Sequence, residues 1–314
     1  MIYLLILFAG LALLYGGAEV LVRGSVGVAL RWGLTRLVVG LTVVAFGTSS
    51  PELVVSIKAA LDGNGAISLG NVIGSNICNI ALILGLSALI RPLTIDQQVV
   101  RIQIPIMIGV SLVLPLFLSD GRLGRFEGGL LFFGILSYTT VSILLARREA
   151  GKNAGTAKEN GSGTRPAGSS WTFLLMILLG LGMLVYGAHL FLKGAVALAG
   201  ILGVSHAVIA LTIVALGTSL PELATSVVAS FRGEGDISVG NVVGSNIFNI
   251  LSILGIASLV RPIVSEGIGL LDYALMIATA VLLLPMARTG FVLSRMEGAI
   301  MLGMYVGYTA YLMA

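Results

Sequence analysis

Two glutamates stand inside long apolar stretches of the chain. Glu52 lies in the segment GTSSPEL (Gly47–Leu53) and Glu222 lies in GTSLPEL (Gly217–Leu223). A carboxylate in the middle of a bilayer costs several kcal/mol, about 2.5–3.5 on insertion scales, and such a residue normally has a function. No Lys or Arg lies within a helical turn of either glutamate, so a local ion pair does not explain them. The alternative is that each glutamate hydrogen-bonds to a neighbouring helix and serves only packing. The occurrence of the same motif twice disfavours this alternative.

Oxygen atoms suited to hard cations flank each glutamate. Pro51 and Pro221 lack an amide N–H, so each is expected to interrupt the helical hydrogen-bond ladder. The carbonyl groups that this interruption frees lie about one turn earlier, near Ala45 and Ala215. Hydroxyl groups add side-chain oxygens on the same turn: Thr48, Ser49, Thr218 and Ser219. Together with the carboxylate, these oxygens favour Ca²⁺ or Na⁺ over soft metals.

The apolar stretch that follows each glutamate carries two more candidate ligands. Ser75 and Asn79 are spaced i,i+4 and share one helix face, and Ser245 and Asn249 repeat the pattern. Two carboxylates balance either one Ca²⁺ or two Na⁺. Electrostatics therefore makes the two loads mutually exclusive, which is what antiport requires. Four asparagines off this face are expected to cap or cross-link helices, with direct ligation as the alternative: Asn71, Asn76, Asn241 and Asn246.

The composition places these residues in a multi-pass membrane protein. Of 314 residues, 57% are hydrophobic and only 10% are charged, whereas a soluble domain has roughly 25% charged residues. The length allows about ten spans of ~20 residues, and the continuous apolar runs disfavour a β-barrel. The composition excludes a soluble enzyme. The scattered basic residues do not indicate nucleic-acid binding, and with no GxxxxGK[ST] phosphate loop we expect neither a nucleotide nor a cofactor.

An internal duplication organises the chain. A shift of 170 residues aligns Gly40–Leu93 with Ala210–Ile263, and roughly 30 of the 54 positions are identical. Each half is predicted to form five spans, and an odd number of spans inverts the second half relative to the first. The predicted fold is therefore all-α, with ten transmembrane helices in two inverted five-helix repeats. The predicted spans are 2–22, 37–60, 67–90, 98–118, 127–146, 172–192, 207–230, 237–260, 269–287 and 294–313.

The predicted domain boundaries follow from this duplication. Residues 1–146 form the first repeat and residues 171–314 the second, and the Gly-, Ser- and charge-rich residues 147–170 form a flexible cytoplasmic linker. With the N-terminus outside, thirteen basic residues fall in inside loops and five in outside loops. The positive-inside rule thus predicts that both termini are outside. We expect a plasma membrane location, and the compact loops suggest a prokaryotic source.

These motifs resemble the α-repeats of the Ca²⁺/cation antiporters, specifically the prokaryotic sodium/calcium exchangers. The resemblance implies a central, diamond-like cluster of four ion sites in which Glu52 and Glu222 are shared by Ca²⁺ and Na⁺. It also implies electrogenic exchange, with spans one and six sliding as a pair to alternate access. The chain departs from some relatives at Asn249, where they carry Asp. The implied neutral ligands are side-chain oxygens of Thr48, Ser49, Ser75, Thr218, Ser219 and Ser245 and backbone carbonyls of Ala45 and Ala215.

Two other functions stay open from the sequence. An H⁺/Ca²⁺ antiporter on the same scaffold would use the same two glutamates, and a cation channel would use them as a charged ring. The sequence leaves the oligomeric state open and is compatible with a monomer. Among the remaining polar residues, Glu19 and its repeat mate His189 are expected to hydrogen-bond near span ends, and His206 is expected to be interfacial. Cys78, the single cysteine, is expected to pack rather than ligate.

Overall fold

The computed structural model describes residues 2–157, 169–202, 215–265 and 267–313, and nearly all of them are helical. The helices of the first half are α1 (Ile2–Trp32), α2 (Arg36–Thr48), α3 (Ser50–Leu61), α4 (Gly65–Ile90), α5 (Val99–Phe117) and α6 (Arg125–Ala157). The helices of the second half are α7 (Ser170–Ile201), α8 (Ala215–Gly217), α9 (Leu220–Arg232), α10 (Gly235–Val260), α11 (Leu270–Arg288) and α12 (Arg295–Met313).

Seven of these helices are long and apolar enough to cross a membrane, among the residues that the structure describes. They are α1, α4, α5, α6, α7, α10 and α11. The pair α2–α3 passes the same test as one span bent by 45°. The predicted span 207–230 lies partly outside the described residues, and His206 lies entirely outside them. The helix α12 occupies the predicted span 294–313. The multi-pass character is thus confirmed, while the count of ten spans stays a prediction.

Four short strands join the two halves of the molecule. β1 (Leu93–Thr94) pairs antiparallel with β4 (Val292–Leu293), and β2 (Arg122–Leu123) pairs antiparallel with β3 (Ile263–Val264). Each pair thus takes one strand from each half. These strands were not predicted from the sequence, because two residues are too few to show an alternating pattern.

The helices α4 and α10 form the centre of the molecule. In their most apolar windows, 72% and 89% of the residues are buried, compared with 33% in α1 and α7. Small residues allow this central position, because they let a neighbouring backbone come close. A Cβ atom on Gly244 of α10 would lie only 2.6 Å from the carbonyl oxygen of Leu41 in α2.

The helices α1 and α7 pack against each other as an antiparallel pair. A Cβ atom on Gly17 would lie 2.9 Å from the carbonyl oxygen of Gly180, and one on Gly180 would lie 2.8 Å from the carbonyl oxygen of Gly17. One heptad away, Gly10 faces Gly187 in the same way. The backbones can approach this closely only because these positions lack side chains.

Three helices continue beyond their predicted spans, and one of them is α7, which was predicted over 172–192 and runs to Ile201. The predicted end of α1 at residue 22 precedes Arg23, but the helix runs to Trp32. Glu19 accepts a hydrogen bond from Arg23 at 2.5 Å and a second from Arg232 of α9, so charge near this span end is paired, as expected for Glu19. At the other end of the first half, α6 continues to Ala157, inside the segment predicted as a linker.

Candidate ion-binding site

Both predicted ion-binding motifs lie where a helix is interrupted. In the first half the break is at Ser49, between α2 and α3, and in the second half it is at Ser219, between α8 and α9. Pro51 and Pro221 stand in the first turn of the helix that follows, where a missing amide N–H costs little.

The two candidate carboxylates also occupy the first turn of these helices. Glu52 belongs to the first turn of α3 and Glu222 to that of α9, and each is only 1% exposed. The free backbone N–H groups and the dipole at a helix N-terminus favour negative charge nearby. The helix break therefore supports a carboxylate at a depth where no basic side chain accompanies it. The prolines in the sequence predict the helix breaks, but the position of each glutamate in the first turn after the break was not predicted.

Each glutamate receives a hydrogen bond from the serine of the opposite half. Ser49 Oγ donates to Glu222 Oε1 at 2.9 Å, and Ser219 Oγ donates to Glu52 Oε1 at 3.0 Å. The second carboxylate oxygen, Oε2, of both glutamates is buried and has no hydrogen-bond partner among the described residues. A buried carboxylate oxygen without a donor is costly, so these two atoms are the first candidates to meet a cation.

The remaining candidate hydroxyl ligands lie around the two glutamates. Ser75 Oγ is 3.3 Å from Ser219 Oγ, and Thr48 Oγ1 is 3.0 Å from Asn241 Oδ1. Thr218 Oγ1 and Ser245 Oγ are buried and lack a hydrogen-bond partner within the described part of the chain. These neutral oxygens supplement the two carboxylates without changing the charge of the site.

The two candidate asparagine ligands lie on the central helices and at the start of irregular turns. Asn79 belongs to a π-helical segment of α4 (Cys78–Leu84), and Asn249 begins the corresponding segment of α10 (Asn249–Leu254). Such segments are frequent at functional sites. Both side chains are at most 1% exposed, and their Oδ1 atoms have no hydrogen-bond partner among residues that the structure describes.

The backbone carbonyls are placed less simply than the sequence predicts. The carbonyl oxygen of Ala45 accepts a hydrogen bond from Ser49 N at 3.1 Å, because Ser49 still closes the last turn of α2. Thr48 Oγ1 also lies 3.4 Å from this oxygen, so an ion at this carbonyl would share the oxygen's second lone pair with the threonine hydroxyl or displace it. Ala215 begins α8, immediately after residues outside the described ranges.

The four asparagines that were expected to cap or cross-link helices form cross-links. Asn71 Nδ2 donates to Ser56 Oγ of α3 at 3.0 Å, and Asn241 Nδ2 donates to Ser226 Oγ of α9 at 3.0 Å. The other two, Asn76 and Asn246, bond across the contact between α4 and α10.

All the atoms that are candidates to coordinate a cation are oxygens. Within the described ranges, no group of three or more His, Cys, Asp or Glu side chains is arranged to hold a metal ion. Two carboxylates with many neutral oxygens suit a hard cation that must be released again, rather than a tightly held structural or catalytic metal.

The whole length of both halves matches one family model. A model described as "Sodium/calcium exchanger protein" matches residues 2–144 and 172–314. The chain belongs to the sodium/calcium exchanger family. The family match confirms the resemblance to the Ca²⁺/cation antiporters that the motifs indicated. Members of this family are membrane transporters rather than enzymes. The two matched segments also coincide with the two halves seen in the sequence duplication.

Exchanger relatives from a bacterium and an archaeon extend over nearly the entire chain. A protein named putative antiporter CaxA from Alkalimonas amylolytica is 37% identical over 303 residues, covering 95% of each chain. The sodium/calcium exchanger MaX1 from Methanosarcina acetivorans is 32% identical, covering 98% of this chain and 97% of its own. A structure of the sodium-calcium exchanger NCX_Mj, soaked with Na⁺ and Ca²⁺, matches with a TM-score of 0.83 at 32% identity, covering 99% of this chain and 98% of that one.

Proposed function

We propose that the chain is a Na⁺-driven Ca²⁺ antiporter that exports Ca²⁺ across the plasma membrane. One observation carries the proposal. Two buried glutamates, Glu52 and Glu222, are each held by a serine of the opposite half and each keep one oxygen without a partner among the described residues. The relatives named sodium/calcium exchanger support Na⁺ as the coupling ion.

The charge of the site explains how the two ions would be exchanged. Two carboxylates compensate one Ca²⁺ or two Na⁺, so either load excludes the other. Exchange of more than two Na⁺ for one Ca²⁺ would move net charge and make transport electrogenic. The two-sided access that antiport needs would come from two inverted five-helix repeats, with ten spans and both termini outside.

The proposed ion ligands come from both halves in matching positions. The carboxylates are those of Glu52 and Glu222. The neutral ligands are Thr48, Ser49, Ser75, Asn79, Thr218, Ser219, Ser245 and Asn249, with the carbonyls of Ala45 and Ala215. The antiparallel pair α1–α7, whose glycines hold the two backbones in contact, is proposed to slide as one unit over this site.

Flux measurements in proteoliposomes test the proposal. Vesicles that contain the purified full chain are loaded with Na⁺ and diluted into Na⁺-free buffer with radioactive Ca²⁺, with and without a pH gradient. We expect Ca²⁺ uptake that requires internal Na⁺ and is independent of the pH gradient. An inside-positive membrane potential should accelerate this uptake, because more than two Na⁺ leaving for each Ca²⁺ entering carries net positive charge out of the vesicle. Uptake that follows the pH gradient without Na⁺ would assign the chain to H⁺-coupled antiport instead. Ca²⁺ entry without any counter-ion gradient would indicate a channel.

A further inference from the structure

Four asparagines of α4 and α10 form a closed set of hydrogen bonds across the centre of the molecule. Asn76 Nδ2 donates to the backbone carbonyl of Asn246 at 3.2 Å, and Asn246 Nδ2 donates to the backbone carbonyl of Asn76 at 3.2 Å. Asn249 Nδ2 donates to Asn76 Oδ1 at 3.0 Å, and Asn79 Nδ2 donates to Asn246 Oδ1 at 3.0 Å. All four side chains are at most 1% exposed.

The backbone carbonyls in this set fix which way each amide points. A carbonyl oxygen can only accept a hydrogen bond, so the atoms of Asn76 and Asn246 that face the carbonyls must be the nitrogens. The Oδ1 atoms of these two residues are then turned toward the neighbouring amides. An Oδ1 atom is likewise only an acceptor, so Asn249 and Asn79 must present their nitrogens to it.

With the amides oriented in this way, Asn79 and Asn249 each keep their side-chain carbonyl oxygen outside this set of hydrogen bonds. The Oδ1 atoms of Asn79 and Asn249 are buried and have no hydrogen-bond partner in the described part of the chain. With either amide rotated by half a turn, an NH₂ group would take the place of this oxygen. Such a group repels a cation and cannot ligate it.

We propose that Asn76 and Asn246 are positioning residues that hold Asn249 and Asn79 with their amide oxygens available to the transported ion. The inference rests on the proposed function, in which those two oxygens ligate Ca²⁺ or Na⁺. Each positioning residue acts on the opposite half of the chain. Asn76 orients Asn249 across the helix contact, whereas Asn79, three residues along α4, donates to Asn246 instead.

Double-mutant cycles on Ca²⁺ affinity test this crossed pattern. Calorimetry on the purified full chain in detergent would compare Asn76→Ala, Asn249→Ala and the double variant. We expect Asn249→Ala to weaken Ca²⁺ binding about 10- to 100-fold, the scale of one contact to a charged group. Asn76→Ala should weaken it too, and the double variant should bind no worse than Asn249→Ala alone, because Asn76 acts through Asn249.

Two control cycles separate positioning from general damage to the helix contact. Asn76→Ala combined with Asn79→Ala should give the product of the two separate effects, because Asn76 does not orient Asn79. Asn71→Ala, which removes a cross-link from α4 to α3, should likewise multiply with Asn249→Ala. A thermal melt of each variant shows which ones are folded, and the mirror cycle of Asn246 with Asn79 replaces the first cycle if Asn76→Ala is unfolded.

Several results would overturn the inference. Effects of Asn76→Ala and Asn249→Ala that multiply would mean that Asn76 does not act through Asn249. Unchanged Ca²⁺ affinity in folded Asn76→Ala would mean that it positions nothing. Failure of the proposed function itself appears elsewhere, as unchanged Ca²⁺ affinity in Glu222→Gln, so the two outcomes are distinguishable.

Discussion

The substitution Glu222→Gln separates the charge of the candidate site from its shape. Glutamine has the same length as glutamate, and its Oε1 can still accept the hydrogen bond that Ser49 Oγ donates at 2.9 Å. The negative charge is lost, and the position of the unpartnered Oε2 becomes an NH₂ group. We therefore expect a folded protein with a weakened cation site.

The size of the effect follows from the charge that each ion loses. Removing one partner of a buried, oppositely charged contact costs about 3–5 kcal/mol, which lowers Ca²⁺ affinity roughly 100- to 4,000-fold. Coulomb energy scales with ion charge, so Na⁺ should lose about half as much, roughly 10- to 60-fold. The variant should therefore bind both ions more weakly and shift its preference toward Na⁺.

Calorimetric titration of Ca²⁺ and Na⁺ measures both affinities, and proteoliposome flux measures transport. Because the glutamates are related by the repeat, Glu52→Gln should show a loss of similar size. Glu19→Gln is the control, since Glu19 also lies within a long apolar helix but pairs with Arg23 and Arg232. Its Ca²⁺ affinity should equal that of the unmodified chain. Retention of Ca²⁺ affinity by Glu222→Gln, or an equal loss in Glu19→Gln, would refute the assignment.

Three further predictions use matched positions. Gly180→Ala should lower the melting temperature, because the added Cβ would lie 2.7 Å from a backbone nitrogen of α1 and such overpacking costs about 1–3 kcal/mol. In the control variant Gly182→Ala, the added Cβ meets no atom within 4 Å, so this variant should be neutral or slightly more stable. Equal melting temperatures of the two variants would contradict the close packing of α1 and α7. Ser49→Ala should weaken Ca²⁺ binding about tenfold or more, the scale of a hydrogen bond to a charged group. The half-buried neighbour Ser50 donates to the backbone carbonyl of Phe46 in α2 at 3.0 Å and not to a glutamate, so it should tolerate alanine; titration of both variants decides. Asn249→Asp should change ion affinity or its pH dependence without abolishing exchange, and flux curves identical to those of the unmodified chain at every pH would place this residue outside the site.

Much of this site was predictable because intramembrane polar residues are rare. Glu52 and Glu222 stand out against apolar surroundings, and the 170-residue repeat pairs them without any structural information. The family follows from the same motifs. The helical, multi-pass character follows from composition, because too few charged residues are present to cover a water-soluble surface.

Contacts between the halves were not predictable in the same way. The pairing of Ser49 with Glu222 joins residues 173 positions apart, and no local spacing encodes such a contact. The predicted end of the first span failed to mark the end of α1 for a related reason. Arg23 suggested a boundary, but its partner Glu19, one turn earlier, lets the helix continue. The π-helical turns at Asn79 and Asn249 also have no periodic signature in the sequence.

Hydrogen bonds that cross between the halves join the helices of the candidate site to one another. Ser49, Ser219 and the asparagines of α4 and α10 bond across the centre, so a displacement of these helices would disorder the ligands. The helix α7 instead covers the motifs through apolar side chains: Leu181 lies against Gly47 and Leu192 against Gly217.

Contacts of this kind have no directional bonds to break. The α1–α7 pair is also joined to α9 by the ion pair of Glu19 with Arg232, which is partly exposed and therefore contributes little. Movement of the pair over the site would thus break fewer strong directional bonds than movement within the site, and this is the physical basis for proposing the access change there. Both covered glycines belong to the GTSxPEL motifs, so α7 contacts both motifs of the candidate site. A shift of α7 that uncovers Gly47 must also change its contact with Gly217, and this linkage would connect access on one side of the membrane with closure on the other.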